Sequence, residues 1–447
     1  INAVSSRLRD EGVRPRNVVG IDLASGLEWI IDLALFRLAT RGVSLRGVES
    51  AAALGFDVWI TAPGGRRFPA GLVLEIDELW IANAVSAASG PAPLFEYPRP
   101  DSICRLMLTS GTTGLPRAAA YSVAALESRR GGLYRYWTDD RPEVNFMGLS
   151  TTGGFHTAIA SLHHGQAFRA VDSINEQTMR FVAQQQITVL CGSPMQIARA
   201  GELLAEFDIS LPTLGEIRMA GTAPSASLLR VLAEQPGVPI RSVYGSTEGG
   251  GVTMRYIGPA DDPTNAGQPL PGAEVQIVDE AGVPVATGVE GAVRYRSPGM
   301  VSGYLEDTVV APFPRGWFVP GDRGMLDRSG SLVLTGRNAE LMNLGGLKID
   351  PARVDEIAMT YPGVLDVAAF QIERRVGIPE IALAVVAEPE CELRALDRYL
   401  REQLPIGHPT AFWRVEEIPR NRMGKVERSM LATELARRRA AQATTLI

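Results

Sequence analysis

A short strand candidate, Arg105-Leu106-Met107-Leu108, passes without a break into Thr109-Ser110-Gly111-Thr112-Thr113-Gly114-Leu115-Pro116-Arg117. A strand that opens directly on such a loop commits the chain to an architecture in which strand ends carry function. The small residues let the backbone turn tightly, so that consecutive N–H groups can converge on one anion. Four hydroxyls in residues 109–113 add donors, and Arg117 adds a fixed positive charge. That set suits the β- and γ-phosphates of a nucleotide, although the composition alone is equally that of a flexible Ser/Thr/Gly loop. Gly-Lys-Ser/Thr is absent, so this is not a Walker A loop.

The rest of the chain reads as alternating strands and helices with glycine-rich connections and no internal repeat, the pattern of an α/β protein. Strands are expected at residues 17–21, 105–108, 187–190 and 240–243, the last feeding a polar turn at 244–250. Helices are expected at 28–38 and 176–185, with Asn175 as N-cap. From about residue 265, short strands at 274–278, 292–295 and 332–334 alternate with turns, which suggests an antiparallel β subdomain. From about 340 the pattern changes again. Strands at 367–372 and 381–387 precede a helix at 393–404, which lines up Leu393, Leu396, Leu400 and Leu404 on one stripe. A strand at 412–415 and a basic helix follow, and about 100 residues suffice for a separate small domain.

At 447 residues the chain can hold two or three cores. A net charge of -6 supplies no basic field for nucleic acid or an anionic membrane. Residues 437–439, all Arg, read as a solvated helix end. Cys104, Cys191 and Cys391 lack metal or redox spacing and read as buried small hydrophobes in a reducing compartment. The chain starts at Ile1, which leaves room for a short leader, but no secretory h-region or span-length apolar run is visible. The expected location is the cytoplasm.

Six further segments share the order of one known family. Gly221-Thr222-Ala223-Pro224, Tyr244-Gly245-Ser246-Thr247-Glu248, Gly316-Trp317-Phe318 with Gly321-Asp322, Gly336-Arg337, Gly345-Gly346 and Pro419-Arg420-Asn421-Arg422-Met423-Gly424-Lys425 follow the phosphate loop in sequence. With that loop they resemble the signature motifs of the adenylate-forming superfamily, which includes acyl-CoA synthetases, peptide-synthetase adenylation domains and beetle luciferases. The resemblance runs from about residue 105 to 428. It implies an α/β fold with a large N-terminal domain, 1–338, holding two α/β sheets and a β subdomain at about 265–338. A small mobile α+β C-terminal domain, 339–447, would follow.

The resemblance also implies a reaction. ATP and a carboxylic acid give acyl-AMP and pyrophosphate, and the acyl group passes to a thiol. The expected acceptor is coenzyme A, with the phosphopantetheine of a separate carrier protein as the close rival and a non-catalytic nucleotide-binding homologue as the distant one. The phosphate loop, the turn 221–224 and Tyr244-Gly245-Ser246 would bind ATP, with Tyr244 stacking on adenine. Asp322 would accept the ribose hydroxyls, Arg337 would add charge near ribose and phosphate, Thr247 would meet the α-phosphate, and Glu248 would hold Mg2+. Lys425 would bridge the two anions that must meet at the α-phosphate. In a second pose of the small domain, Gly345-Gly346 would line the thiol's path, with Ala339 as hinge.

The acyl pocket is expected from residues 150–156, 191–196, 219–222 and 244–249, with Thr152, Gly153, His156, Ser193, Gly221 and Gly249 facing substrate. A packing role for His156 is at least equally open. Amino-acid-activating members carry an Asp in the first region to hold the ammonium. The equivalent here is Thr152, and residues 150–165 contain no acid. Other departures are Arg117-Ala118 for the usual Lys-Gly, Pro320 for a Thr, Ala339 for an Asp or Lys at the hinge, and a connection at 39–53 in place of a longer segment.

Overall fold

The computed structural model describes residues 1–45, 54–87, 98–109, 117–131, 141–169, 171–224, 226–233, 237–258, 260–306, 309–311, 313–337, 342–344, 347–373, 379–404, 408–421 and 424–444. These form two compact units. The first comprises Ile1–Gln276, Arg294–Pro320 and Leu326–Val333; the second comprises Ile277–Val293, Gly321–Met325 and Leu334–Ile447.

Two sheets organise the first unit. In one, β1 (Val18–Asp22), β2 (Arg41–Ser44), β3 (Phe56–Thr61), β4 (Ala70–Glu75), β5 (Ile103–Thr109) and β6 (Arg117–Ser122) stand in the order β4-β3-β1-β2-β5-β6. All pairs are parallel except β5–β6, and Tyr304–Glu306 adds to β6 antiparallel. The interior strands are near-continuous apolar runs because both faces are covered: Val19, Ile21, Val58 and Ile60 pack with Ile31 and Leu35 of the helix Ser25–Arg37. The connection expected at 39–53 contains a strand, and its residues 46–53 lie outside the described residues. Residues 41–44 are β2, a buried strand between β1 and β5, too short and too lacking in alternation to stand out in the sequence.

The other sheet sets β7 (Glu143–Asn145), β8 (Val189–Gly192), β9 (Glu216–Ala220) and β10 (Ile240–Ser246) parallel to one another. β11 (Gly250–Ile257) and β12 (Asn265–Pro269) continue it antiparallel. The strand expected at 187–190 lies two residues later, and the turn expected from 244 is strand as far as Ser246. Helices Glu176–Gln184 and Pro194–Glu206 are capped by Asn175 and Ser193, whose side chains accept from Thr178 N and Gln196 N. Each such cap contributes about 1 kcal/mol.

The second unit contains a three-stranded sheet in which Val364–Glu373 pairs antiparallel with Pro379–Ala387, and the latter runs parallel to Ala411–Arg414. Its faces separate with the two-residue period. Val367, Ala369, Leu383 and Val385 pack with Leu396 and Leu400 of the helix Leu393–Gln403, and Ala368, Phe370 and Ile372 pack with Leu431 of the helix Arg428–Thr444. The expected leucine stripe is therefore core. All three cysteines are buried free thiols. Among the described residues no helix is long and apolar enough to cross a membrane.

Candidate active site

The four parallel strands β7 to β10 end side by side. Asn145 is in register with Cys191, Gly192 with Met219, and Ala220 with Val243. Ligands of open parallel sheets sit beyond these carboxyl ends, and three of the four segments expected to build the acyl pocket, 191–196, 219–222 and 244–249, start there. The fourth contributes the helix Thr152–His163, capped by Thr151, whose Oγ1 accepts from Gly154 N at 3.1 Å.

The turn after β10 is held from several sides. Ser246 Oγ accepts from the amides of Glu248 and Gly249, each at 3.1 Å. The Glu248 carbonyl accepts from Val301 N at 2.9 Å, and the Gly249 carbonyl from Ser297 Oγ at 2.6 Å. The Tyr121 hydroxyl donates to the Thr247 carbonyl. Gly245 has to be glycine: a Cβ there would lie 1.9 Å from the Gly250 carbonyl oxygen. Fixing the backbone in this way fixes the departure points of the Thr247 and Glu248 side chains.

Glu248 is 5% exposed, and the Tyr304 hydroxyl donates to its Oε1. Burial first, and then the negative Glu248 carboxylate, push the Tyr304 phenol above its usual range, so Tyr304 stays a donor. The Arg117 guanidinium lies 3.5 Å from the centre of the Tyr304 ring, a cation–π contact. Arg117 is in register with Thr109, whose Oγ1 donates to the Arg117 carbonyl at 3.3 Å. The residues flanking the 110–116 connection are thus joined, and through Arg117 and Tyr304 they are connected to Glu248. Ser110, Gly111, Thr112, Thr113 and Gly114 lie outside the described residues.

Tyr244 is half-buried, its ring edge-on to Tyr295 with centroids 6.2 Å apart. Gly221, at φ +102°, starts the turn that continues through Thr222, Ala223 and Pro224 directly after β9. Thr152 Oγ1 is 3.3 Å from the Tyr121 hydroxyl, and Gly153 packs on Met147 closely enough that a Cβ would meet Met147 Cε at 2.4 Å. Gly249 abuts Tyr295 in the same way. Ser193 is wholly buried and its hydroxyl is spent capping a helix, so it shapes the strand end instead of offering a polar contact to substrate.

His156, 3% exposed, settles into packing and hydrogen bonding: Arg129 Nη1 lies 3.1 Å from its Nε2. Burial, followed by the charges of Arg129 and Arg105, holds its pKa well below the ordinary value, so the ring is neutral. Tyr121, Arg129 and Tyr304 were not found from the sequence. Arg129 had one available signal, its spacing of four from Ala125 and three from Leu126 on the buried face of a helix.

In the second unit, Asp322 opens the strand Asp322–Leu326 directly after Gly321 and is 4% exposed. Arg337 ends the strand Leu332–Arg337. Ala339, Gly345 and Gly346 lie outside the described residues. Lys425 sits on a tight loop: its N–H donates to Asn421 Oδ1 at 3.0 Å and its carbonyl accepts from Asn421 N at 2.9 Å. Arg420 and Arg428 near it are paired. Arg420 pairs with Asp366 at 2.7 Å and donates to the Gly424 carbonyl at 3.0 Å, and Arg428 pairs with Asp355 at 2.6 Å. Arg420 and Arg428, on either side of Lys425, are thus held by carboxylates of the same unit.

A bound magnesium ion typically takes one or two carboxylates and completes its shell from substrate phosphates and water. Among the described residues no group of three or more His, Cys, Asp or Glu could cage a metal. Glu248, a hard oxygen donor with one oxygen held by Tyr304, fits that single-carboxylate mode.

Comparison with known proteins agrees with this geometry. The family model described as AMP-binding enzyme matches residues 66–305, more than half of the chain. The chain is 28% identical over 482 residues to a 4-chlorobenzoate–CoA ligase of an Arthrobacter species, covering 99% of this chain and 90% of that protein. It is 30% identical over 353 residues to naringenin synthase of Pestalotiopsis fici, covering 73% of this chain but only 13% of that much longer protein. The fold is similar to that of ATP-bound MatB from Rhodopseudomonas palustris, with a TM-score of 0.81 at 21% identity over 97% of this chain and 91% of that one. The chain belongs to the AMP-binding family of adenylate-forming enzymes.

Proposed function

We propose that the protein condenses a carboxylic acid with ATP to acyl-AMP and transfers the acyl group to the thiol of coenzyme A. The observation that carries this reading is the clamped Thr247–Glu248 turn at the end of β10, with Tyr304 joining Glu248 to the foot of the phosphate loop. In the first half-reaction a carboxylate oxygen attacks the α-phosphorus, the bond to the β-phosphate oxygen breaks, and pyrophosphate leaves. Thr247 hydrogen-bonds the α-phosphate, and Asp322 and Arg337 attend the ribose. Glu248 holds Mg2+, which when bound neutralises phosphate charge. Lys425, the lysine of the tight loop, supplies the cation that lets two anions approach. In the second half-reaction the thiolate attacks the acyl carbon and AMP leaves with its phosphate oxygen. Ala339 is the proposed hinge between these steps, and Gly345-Gly346 the path of the pantetheine arm.

The similarity to a CoA ligase along nearly the whole chain supports coenzyme A as acceptor. The absence of acid in residues 150–165 supports a simple carboxylic acid over an α-amino acid. Acid-dependent pyrophosphate release is the test, measured over a panel of aryl, short-chain and medium-chain acids with α-amino acids included, followed by addition of coenzyme A or a phosphopantetheinylated carrier. Release with simple acids, and AMP formation driven by coenzyme A, is expected. Release driven only by amino acids overturns the substrate class, and turnover only with the carrier overturns the acceptor.

A further inference from the structure

Arg129 is wholly buried, yet among the described residues no carboxylate pairs with it. Taking a guanidinium out of water costs several kcal/mol unless its donors are used, and here all are. Nε donates to the Gly299 carbonyl at 2.6 Å. Nη1 lies 3.1 Å from the Tyr121 hydroxyl and 3.1 Å from His156 Nε2. Nη2 donates to the Glu248 carbonyl at 3.1 Å and reaches the Thr247 carbonyl at 3.4 Å. Every acceptor is neutral, so the positive charge stays uncompensated in a dry setting, where its field reaches furthest.

The approach is built for this side chain. Gly299, at φ +77°, brings its backbone so near that a Cβ would sit 2.4 Å from Arg129 Cγ. Tyr121 stands in the same cluster: its ring centre is 4.7 Å from the guanidinium, and its hydroxyl joins Thr247 to Thr152 at the other wall of the site. A planar fork with five donors can hold two successive carbonyls and two aromatic partners at once, which an ammonium on a flexible stem cannot.

We infer that Arg129 is a positioning residue for the nucleotide half of the site. It turns the Thr247 and Glu248 carbonyls inward, fixes the outward course of the two side chains, and adds an uncancelled positive charge beneath the place where phosphates bind. The inference rests on the proposed roles of Thr247 and Glu248. Tyr121 acts with Arg129, sharing the Thr247 carbonyl and carrying the same constraint to Thr152.

The test compares Arg129→Lys, Arg129→Met and Tyr121→Phe with the wild-type protein by calorimetric binding of MgATP, by kcat and KM for acid-dependent pyrophosphate release, and by Tm. Both Arg129 variants should bind MgATP at least about tenfold more weakly, and kcat should fall with little change in KM for the acid. Arg129→Lys should not rescue, because the fork and not the charge alone holds the carbonyls. Tyr121→Phe should show a smaller loss in the same two readouts, with Tm also lowered because the Arg129 Nη1 and the Thr247 carbonyl each lose a buried partner. Folded Arg129 variants with wild-type MgATP affinity and kcat would overturn the inference, since a purely structural role would lower only Tm. Where Arg129→Met does not fold, Tyr121→Phe with unchanged affinity and kcat overturns it. A wild-type protein that binds no MgATP overturns the nucleotide reading itself, before any variant is made.

Discussion

Replacing His156 by glutamine should change how stability depends on pH. The imidazole is buried between the Arg129 and Arg105 charges and is held neutral well below its ordinary pKa of 6.5. In the unfolded chain the same ring titrates normally, so below pH 6.5 the unfolded state binds a proton that the folded state refuses. Stability therefore rises with pH up to about that value and is lost as pH falls. For a ring that stays neutral to pH 5.5, the loss between pH 7.5 and 5.5 is RT ln of the unfolded proton-binding ratio, about 1.4 kcal/mol. Glutamine keeps an amide oxygen for Arg129 Nη1 but cannot titrate. Urea unfolding at the two pH values should show the wild-type protein losing about 1.4 kcal/mol more than His156→Gln. Because the chain has only four histidines, an imidazole NMR titration can follow the ring directly, with the variant identifying its resonance. Equal pH dependence in the two proteins, or a His156 midpoint near 6.5, would refute the reasoning.

Lys425→Ala should abolish most acyl-AMP formation while thioester formation from supplied acyl-AMP persists; equal loss of both half-reactions in single-turnover assays would show that Lys425 is not specific to adenylation. Tyr304→Phe removes a hydrogen bond to a charged carboxylate, worth about 1.5–3 kcal/mol, while keeping the ring under Arg117. The Mg2+ concentration for half-maximal rate should therefore rise about tenfold or more, and an unchanged Mg2+ dependence would detach Tyr304 from Glu248.

The parts legible in the sequence were those with a local signature. The Asn175 cap, the strand at 274–278 and the Leu396–Leu400 stripe each follow from spacing within a few residues. β2 was missed because a four-residue strand with three consecutive buried residues in a parallel sheet carries no alternation. Arg129 and Tyr304 were missed for a different reason. Each acts by reaching a segment far along the chain, Thr247 from Arg129 and Glu248 from Tyr304, and a single arginine or tyrosine carries no mark of its distant partner. The commitment of Arg420 and Arg428 to Asp366 and Asp355, likewise, is visible only in the fold.

The central claim is that a carboxylate oxygen attacks the α-phosphorus of ATP. It is tested most directly by supplying an active acid whose carboxylate bears heavy-isotope oxygen in both positions, running the full reaction with coenzyme A, and weighing the products. Acyl-adenylate chemistry places one labelled oxygen in the phosphate of AMP and keeps the other in the thioester carbonyl, with none in pyrophosphate. Label in orthophosphate or pyrophosphate, or a thioester formed with no label in AMP, would contradict the account.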